Sequence, residues 1–347
     1  SMSLIDLAER GLLPDAVLRH GIRRLCRQRL LDEGLLDCAA ADARFNALIA
    51  ELKESPVAIE TQAANEQHYE LPTEFFQLCL GNRLKYSSAF YPNGDESLDQ
   101  AEEHMLRLYG ERAGLQDGQH ILELGCGWGS LTLWMAEHYP NARITAVSNS
   151  ATQRRHIESQ CLERGFGNVT VITRDVNVLD FGDSLFDRCV SVEMFEHMRN
   201  YRTLLASISR WLKPDGRLFV HIFVHRYLMY PFETQGEDNW MGRYFFTGGI
   251  MPSADTLLHF ADSLSIERRW LVPGRHYAQT SNHWLANQDA NGPAVLAILE
   301  QAYGNEQAAL WAQRWRMFWM ACAELFAYGD GNEWMVSHYL FKNKKPG

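Results

Sequence analysis

The chain has 347 residues, of which 46% are hydrophobic, and its net charge is −10. This size and apolar content suffice for one large domain with a substantial core. The acidic balance argues against a nucleic-acid partner, which would favour a basic protein face, and the chain has no apolar run of the roughly 18 residues needed to span a bilayer.

The seven cysteines are scattered, and no two have CxxC spacing. This pattern predicts neither a disulfide framework nor a metal site. Asp6, Glu9 and Arg10 interrupt the N-terminal stretch, which is not typical of a signal peptide. We therefore expect a soluble cytoplasmic protein without a metal or an integral membrane segment. The sequence leaves the oligomeric state open, with a homodimer as one form to test.

Residues 1–110 are predicted to form a helical N-terminal region. In LRHGIRRLCRQRLL the apolar residues recur at helical spacing. A second segment of this region, 64–81, is interrupted by Pro72. We expect this region to cover the active site of the domain that follows.

From residue 111 to residue 347, strand-like and helical patterns alternate. HILEL, ARITAVSNS, NVTVITRD, FDRCVSVEM and GRLFVHIFV predict five strands, and helical segments connect most of them. Two more strands are predicted at 266–274 and 334–343. This alternation predicts an α/β fold with a doubly wound, Rossmann-like sheet of seven strands.

Two segments interrupt this pattern. Residues 225–263 are rich in aromatic side chains, and residues 280–332 are mostly helical with many tryptophans. Insertions of this kind after sheet strands are natural pocket walls. Ordinary core packing is an equal alternative for any single aromatic residue.

The segment ELGCGWG follows the first predicted strand and precedes a helix, with Glu123 and Gly125, Gly127 and Gly129 at alternate positions. Glycines there let the backbone turn tightly and approach a ligand. The pattern is GxGxG rather than GxGxxG, and the second strand ends in SNS rather than in an acid that would bind a ribose. These two differences argue against NAD.

The ExGxGxG spacing resembles motif I of the class I S-adenosylmethionine-dependent methyltransferases. HYELPTEFF, KYSSAFY, LELGCGWGS and FEHM resemble the cyclopropane-fatty-acid synthase superfamily within that class. NEQHYELPTEFF, AVSNSATQ, SVEMFEHM, RYFFTGGIMPSA, HYAQTSNHWL and AELFAYGDGNEWMVSHYLFK are similar to the coclaurine N-methyltransferase group, which includes pavine and tetrahydroprotoberberine enzymes. The resemblance extends from about residue 60 to residue 343.

This resemblance implies a class I methyltransferase fold with S-adenosylmethionine as cofactor. It implies cofactor contacts at the methionine part (Tyr86, Ser87), beneath it (Gly125, Gly127), at the ribose (Asn149, Gln153) and beside the adenine (Asp175, Val176). Without the resemblance, an exposed helix position would be the favoured interpretation of Gln153.

The segment VEMFEHM, residues 192–198, brings Glu193, Glu196 and His197 close in sequence. From the residues alone it is either a helix start with acids near its positive end or a proton-handling site. If the segment is helical, the three side chains share one face. We predict His197 as general base, assisted by Glu196, with Glu193 holding the amine; these roles could be exchanged.

The lipid-modifying members that this chain resembles hold a bicarbonate ion as base. Three of its expected ligand positions are occupied here by Ser88, Glu193 and Phe318, whereas Glu196 and His221 are retained. A second anion beside Glu193 would be strongly repelled at low dielectric. The sequence therefore predicts methylation of a small-molecule amine, with alkaloid-like amines as one candidate class and methyl transfer to an unsaturated lipid as the alternative.

Further residues are predicted to line the amine pocket: Tyr69, Glu70, Trp315 and Phe318. For Trp315, core packing is nearly as good an interpretation. His221 is either a support for the site or a satisfied histidine at a strand end. O-methylation and a non-catalytic binding protein were the other functions that the motifs left open.

Overall fold

The computed structural model describes residues 2–64, 66–67 and 71–347. Tyr69 and Glu70, both predicted to line the amine pocket, lie outside these described residues. Within the described part of the chain, no helix is long and apolar enough to cross a membrane.

The described residues form nine strands. They are β1 (His120–Leu124), β2 (Arg143–Ser148), β3 (Val169–Thr173), β4 (Phe186–Val192), β5 (Leu212–His225), β6 (Tyr230–Pro231), β7 (Ile250–Met251), β8 (Leu264–Val272) and β9 (Trp334–Asn343). Seven of them make one sheet in the order β3-β2-β1-β4-β5-β9-β8, in which β9 is antiparallel to its two neighbours. The seven strands predicted from the sequence are confirmed, and β6 pairs with β7 in a separate small sheet.

The helices are α1 (Leu4–Glu9), α2 (Asp15–Asp32), α3 (Cys38–Glu54), α4 (Thr61–Ala64), α5 (Thr73–Cys79), α6 (Leu98–Ala113), α7 (Ser130–His138), α8 (Ala151–Arg164), α9 (Tyr201–Trp211), α10 (Trp240–Tyr244), α11 (Arg275–Ala290), α12 (Gly292–Tyr303) and α13 (Ala308–Ala327). Local signals set several of their ends. Pro72 precedes α5, and Gly165 ends α8 in a left-handed conformation with φ 74°. A capping box of Ser97 and Gln100 begins α6.

Successive side chains of a strand point to opposite faces of the sheet, so the apolar core lies on both faces. Ile121 and Val190 belong to the apolar cluster that includes α6 and α7. Their neighbours Leu122 and Cys189 belong to a second cluster that includes α3 and α9. Helices on both faces are the arrangement of a doubly wound α/β fold, which confirms the predicted fold class.

The N-terminal helices pack against α13 through partly exposed ion pairs. Glu9 pairs with Arg314, and Asp15 lies 2.8 Å from Arg316. The helix α6 crosses residue 110, the predicted domain boundary, and buries Tyr109 and Ala113 in the main core. The helical region is therefore packed on the sheet domain, while a boundary at residue 110 stays a prediction.

Candidate active site

The motif after β4 is not one continuous helix. Glu193 has a φ of 51°, in the left-handed region, and a single 3₁₀ turn, Phe195–His197, follows it. A non-glycine residue in this region costs on the order of 1–2 kcal/mol, so surrounding contacts must hold it. The Glu193 backbone N–H donates to the His221 carbonyl at 2.8 Å, which anchors the turn to β5.

This turn directs the two glutamates into different surroundings. Glu193 lines the cavity at the carboxyl end of β4, together with His197. Glu196 is fully buried, does not line that cavity, and accepts a hydrogen bond from the Phe223 N–H at 2.8 Å. Its other oxygen, Oε1, has no hydrogen-bond partner among the described residues. The shared face expected of a helix therefore does not form.

Three donors converge on the Glu193 carboxylate. Oε2 accepts from the Ser88 N–H at 2.8 Å and from His221 Nε2 at 2.7 Å, and Oε1 accepts from the Tyr277 hydroxyl. Burial raises the pKa of Glu193 to about 7, while Lys85 and the hydrogen bonds from Tyr277 and Ser88 oppose the rise. His221, left open between two interpretations, thus contacts Glu193 directly.

Lys85 is a buried lysine beside this carboxylate that was not predicted from the sequence. Its Nζ donates to Ser87 Oγ at 2.5 Å, to the Ser88 carbonyl at 2.8 Å and to the Tyr109 hydroxyl at 2.8 Å. Burial lowers the pKa of Lys85 to about 7, whereas Glu193 and then Glu102 favour its charged form. A charged residue within the apolar segment KYSSAFY was the signal that could have identified it.

His197 lies at the junction of two cavities. One is lined by Glu193 and by the aromatic side chains, and the other by Asp175 and Val176. The imidazole stacks on Phe246, with ring centroids 5.3 Å apart and planes 3° from parallel. His197 therefore lines the same cavity as Glu193.

All eight predicted cofactor residues fall in these two adjoining cavities. Tyr86, Ser87, Gly125, Gly127 and Gln153 line the first cavity, and Asn149 lines both. Asp175 and Val176 line the second. The two cavities also share Met194 and His197, so one elongated ligand could occupy them together.

Two observations fit a polar cofactor at this place. Gln153 is 1% exposed, and its Nε2 has no hydrogen-bond partner within the described ranges. The exposed helix position that the residues alone favoured is therefore wrong. A Cβ added to Gly127 would meet no atom within 4 Å, which leaves open space against the backbone. These features fit the resemblance-based assignment to S-adenosylmethionine.

Substitutions of two loop glycines should separate fold stability from cofactor binding. A Cβ at Gly125 would lie 2.7 Å from Met194 Cγ, and φ there is +76°, so Gly125→Ala should lower the free energy of unfolding by about 2 kcal/mol or more. Gly127→Ala meets no neighbour, so it should cost only about 1 kcal/mol but should weaken S-adenosylhomocysteine binding. Chemical denaturation and calorimetric titration would measure the two effects; equal destabilisation by both variants would contradict this distinction.

Aromatic side chains form one wall of the cavity that Glu193 lines. They are Phe223, Phe232, Phe246, Tyr277, Phe318 and Phe326. Phe318 was predicted as a pocket residue and lines the cavity. Trp315 does not line it and is fully buried, 4.9 Å from the rings of both Phe75 and Phe245. Trp315 therefore has the surroundings of a core residue, as its core-packing interpretation expects.

Tyr277 was also missed as a site residue, although it belongs to the segment HYAQT. Its hydroxyl donates to Glu193, and its ring stacks on Phe326 with centroids 4.4 Å apart. It joins the carboxylate to the aromatic wall. The cavity therefore combines an anionic group, an imidazole and aromatic faces, an arrangement suited to a cationic organic ligand.

Comparisons with known proteins agree with this geometry. The family model for mycolic acid cyclopropane synthetase matches residues 58–335. The chain is 37% identical to (S)-coclaurine N-methyltransferase of Thalictrum flavum subsp. glaucum, over 99% of this chain and 96% of that protein. It is only 28% identical to cyclopropane-fatty-acyl-phospholipid synthase of Escherichia coli (strain K12), over 78% of this chain and 66% of that protein.

A solved structure is also similar to this chain over nearly its whole length. The crystal structure of coclaurine N-methyltransferase bound to N-methylheliamine and SAH matches with a TM-score of 0.94 and 37% identity, covering 98% of this chain and 99% of that one. The cyclopropane synthase alternative is thus the more distant one. The chain belongs to the mycolic acid cyclopropane synthetase family and, within it, to the coclaurine N-methyltransferase branch of S-adenosylmethionine-dependent methyltransferases.

Proposed function

We propose that this enzyme transfers a methyl group from S-adenosylmethionine to the nitrogen of a small, alkaloid-like amine that carries an apolar ring system. The observation that carries the proposal is the Glu193 carboxylate, held by three donors at an aromatic cavity. The relatives named as N-methyltransferases, one of them solved with N-methylheliamine, support the acceptor class.

The cofactor supplies a methyl group on a sulfonium centre, which an amine lone pair can displace in line. Residues of the first cavity would hold its methionine part and ribose (Tyr86, Ser87, Gly125, Gly127, Asn149, Gln153). Asp175 and Val176, in the second cavity, would flank the adenine. Buried surroundings exclude water around the reacting groups and strengthen their electrostatic interactions.

Glu193 and His197 have different roles toward the amine: Glu193 binds it, and His197 takes its proton. An alkyl amine with a pKa near 10.4 is mostly protonated at neutral pH, so a carboxylate attracts it into the cavity. The amine must then lose a proton before or during its attack, and we assign His197, which lines the same cavity, as the acceptor of that proton. The aromatic wall contributes cation–π attraction for the charged acceptor and the charged product.

Glu196 supports this arrangement from behind the cavity. Burial, reinforced by the neighbouring Glu193 charge, raises the pKa of Glu196 well above 4.5. Glu196 also does not line the cavity, whereas His197 does, so Glu196 has no direct access to the amine. This favours His197 over Glu196 as the base, with Glu196 holding the turn through the Phe223 N–H.

The lipid alternative would need an anion in the same place. The His221 Nε2 group and the Ser88 N–H already donate to Glu193. A bicarbonate ion would therefore have to displace a fixed carboxylate or lie beside it, and repulsion at low dielectric opposes the second arrangement. Glu193 itself does what a bound anion would otherwise do.

The decisive test is a methyl-transfer assay with labelled S-adenosylmethionine across primary, secondary and tertiary amines, phenols and phospholipids. We expect transfer to secondary or primary amines that carry an aromatic ring, without a requirement for bicarbonate. The neutral phenol of similar size serves as the matched acceptor for O-methylation. Methylated lipid with unmodified amines would overturn the proposal.

We further propose a cytoplasmic location, because all seven cysteines are free and six are buried. Light scattering on purified protein would distinguish a monomer from a homodimer.

A further inference from the structure

A row of polar side chains continues from Glu193 through the sheet to α6. His221 on β5 and His338 on β9 are direct partners across the two antiparallel strands. Both side chains are fully buried, and His338 Nε2 lies 3.1 Å from His221 Nδ1. At the far end, Arg112 Nη1 lies 2.7 Å from His338 Nδ1. The proposed amine site is thus connected to a half-buried guanidinium on another element.

Arg112 fixes the direction of every hydrogen bond in this row. A guanidinium only donates, so His338 Nδ1 accepts and its hydrogen is on Nε2. His338 Nε2 then donates to His221 Nδ1, which leaves the His221 hydrogen on Nε2, facing Glu193. Burial lowers the pKa of both histidines well below 6.5, so each ring is neutral and carries one hydrogen.

Tyr109 reinforces the same direction from α6. Its hydroxyl lies 2.8 Å from Lys85 Nζ, which donates, and 2.8 Å from His221 Nδ1. The hydroxyl hydrogen is therefore directed to His221 Nδ1. Tyr109 and Arg112 are three residues apart on α6 and so share one face of the helix. Tyr109 and His338 therefore both donate toward His221 Nδ1, and this disfavours the tautomer that carries its hydrogen on Nδ1.

We propose that Arg112, His338 and Tyr109 are positioning residues that lock His221 as the Nε2–H tautomer and thereby keep Glu193 ionised. The proposal rests on the proposed role of Glu193 as the amine ligand. The other tautomer would direct a nitrogen lone pair at the carboxylate across 2.7 Å. Glu193 would then have to take up a proton, and its attraction for a cationic amine would be lost.

The tautomer can be measured without substrate. In protein labelled with ¹⁵N-histidine, a long-range ¹H–¹⁵N correlation shows which ring nitrogen carries the hydrogen. We expect Nε2–H for His221 in the natural sequence and a mixture in the double variant Arg112→Met, Tyr109→Phe. Nδ1–H in the natural sequence, or an unchanged tautomer in a folded double variant, would overturn the proposal.

Two single variants, Arg268→Met and Arg112→Lys, serve as matched controls for the double variant. Arg112 and Arg268 both lie 4.9 Å from the centre of the Trp270 ring. Arg268 is exposed, so Arg268→Met removes a similar cation without touching the row. Arg112→Lys keeps a donor-only cation. We expect both to retain the natural tautomer, and a shift in Arg268→Met would mean that charge alone, not the row, controls it.

The kinetic consequence is a shift of the pH profile. Losing a donor to Glu193 favours its protonated form, so the acid limb of kcat/KM for an amine should move to higher pH. Below that limb, activity in the double variant should fall about tenfold. Unchanged S-adenosylhomocysteine affinity is expected for Arg112→Met alone, because Arg112, unlike Tyr109, does not line the cofactor cavity. The titratable groups that face Glu193 are Lys85, Tyr109, Glu196, His197, His221, Tyr277 and Cys322, and the double variant removes only Tyr109 from this set.

If the His221 tautomer changes in the double variant but the acid limb of kcat/KM stays at the same pH, the link between the tautomer and Glu193 ionisation is overturned. Failure of the amine panel itself would contradict the proposed function, while the substrate-free tautomer measurement would still decide the role of the row.

Discussion

Glu193→Gln should lower kcat/KM for a protonated amine on the order of a hundredfold, because it removes a preorganised charge while keeping the side-chain shape. The glutamine cannot neutralise the approaching ammonium. It also cannot accept from Ser88, His221 and Tyr277 with the same strength, since those contacts lose their charge assistance. Most of the loss should appear in KM for the cationic acceptor, with S-adenosylhomocysteine affinity retained.

Glu196→Gln is the matched control for this variant. Glu196 belongs to the same turn but lies outside the cavity, and its raised pKa already favours the neutral form. A glutamine resembles that neutral acid, so we expect a change of less than about tenfold, the range of one ordinary hydrogen bond. Steady-state kinetics of both variants would settle the comparison. A larger loss in Glu196→Gln would transfer the principal role to Glu196.

The pH dependence of the natural enzyme should also reflect the charge of Glu193. The pKa of Glu193 is raised to about 7, so protonation below that pH removes the negative charge. Activity toward a cationic amine should therefore fall as the pH falls through about 7. In Glu193→Gln the part of this acid limb that belongs to Glu193 should disappear, and an acid limb with an unchanged midpoint would assign it to another group, such as the proposed base His197.

His197→Ala should lower kcat by about 10² to 10⁴, the range attributed to a positioned general base. The variant leaves the amine without a proton acceptor at the junction of the two cavities. His197→Gln keeps a polar side chain of comparable length that cannot take up the proton. It should be impaired almost as strongly, which separates proton transfer from the loss of stacking on Phe246.

Two measurements distinguish a base from a structural residue at this position. Calorimetric titration should show S-adenosylhomocysteine binding that is nearly unchanged. The deficit should also shrink at high pH, or with a less basic amine, because the free base is then already abundant. Parallel losses of cofactor affinity and turnover, independent of pH, would assign His197 a structural role.

Local patterns in the sequence were sufficient for the fold. The seven strands, the α8 end at Gly165 and the break at Pro72 follow from periodicity and backbone chemistry within a few residues. The positions of the cofactor residues came from motif resemblance. For Gln153 this outweighed the residue-only interpretation, because nothing local shows that a polar side chain on α8 is buried.

The conformation of the Glu193 turn could not be predicted from its own segment. Its donors come from residues 88, 221 and 277, which are far apart in the chain. These long-range contacts, rather than local helix propensity, determine the left-handed φ of Glu193. Lys85 was missed for the same reason, since its burial depends on Tyr109 from another element.

The two ends of the combined cavity are built by different parts of the chain. Strand ends and the glycine loop form the donor end, whereas α10, α11 and α13 supply much of the acceptor wall, with Met241, Tyr277 and Phe318. Substitutions on those helices can therefore alter the room for the acceptor while the donor end stays intact. In evolution or in the laboratory, such a scaffold can acquire new acceptors by successive changes without passing through a form that has lost its methyl donor.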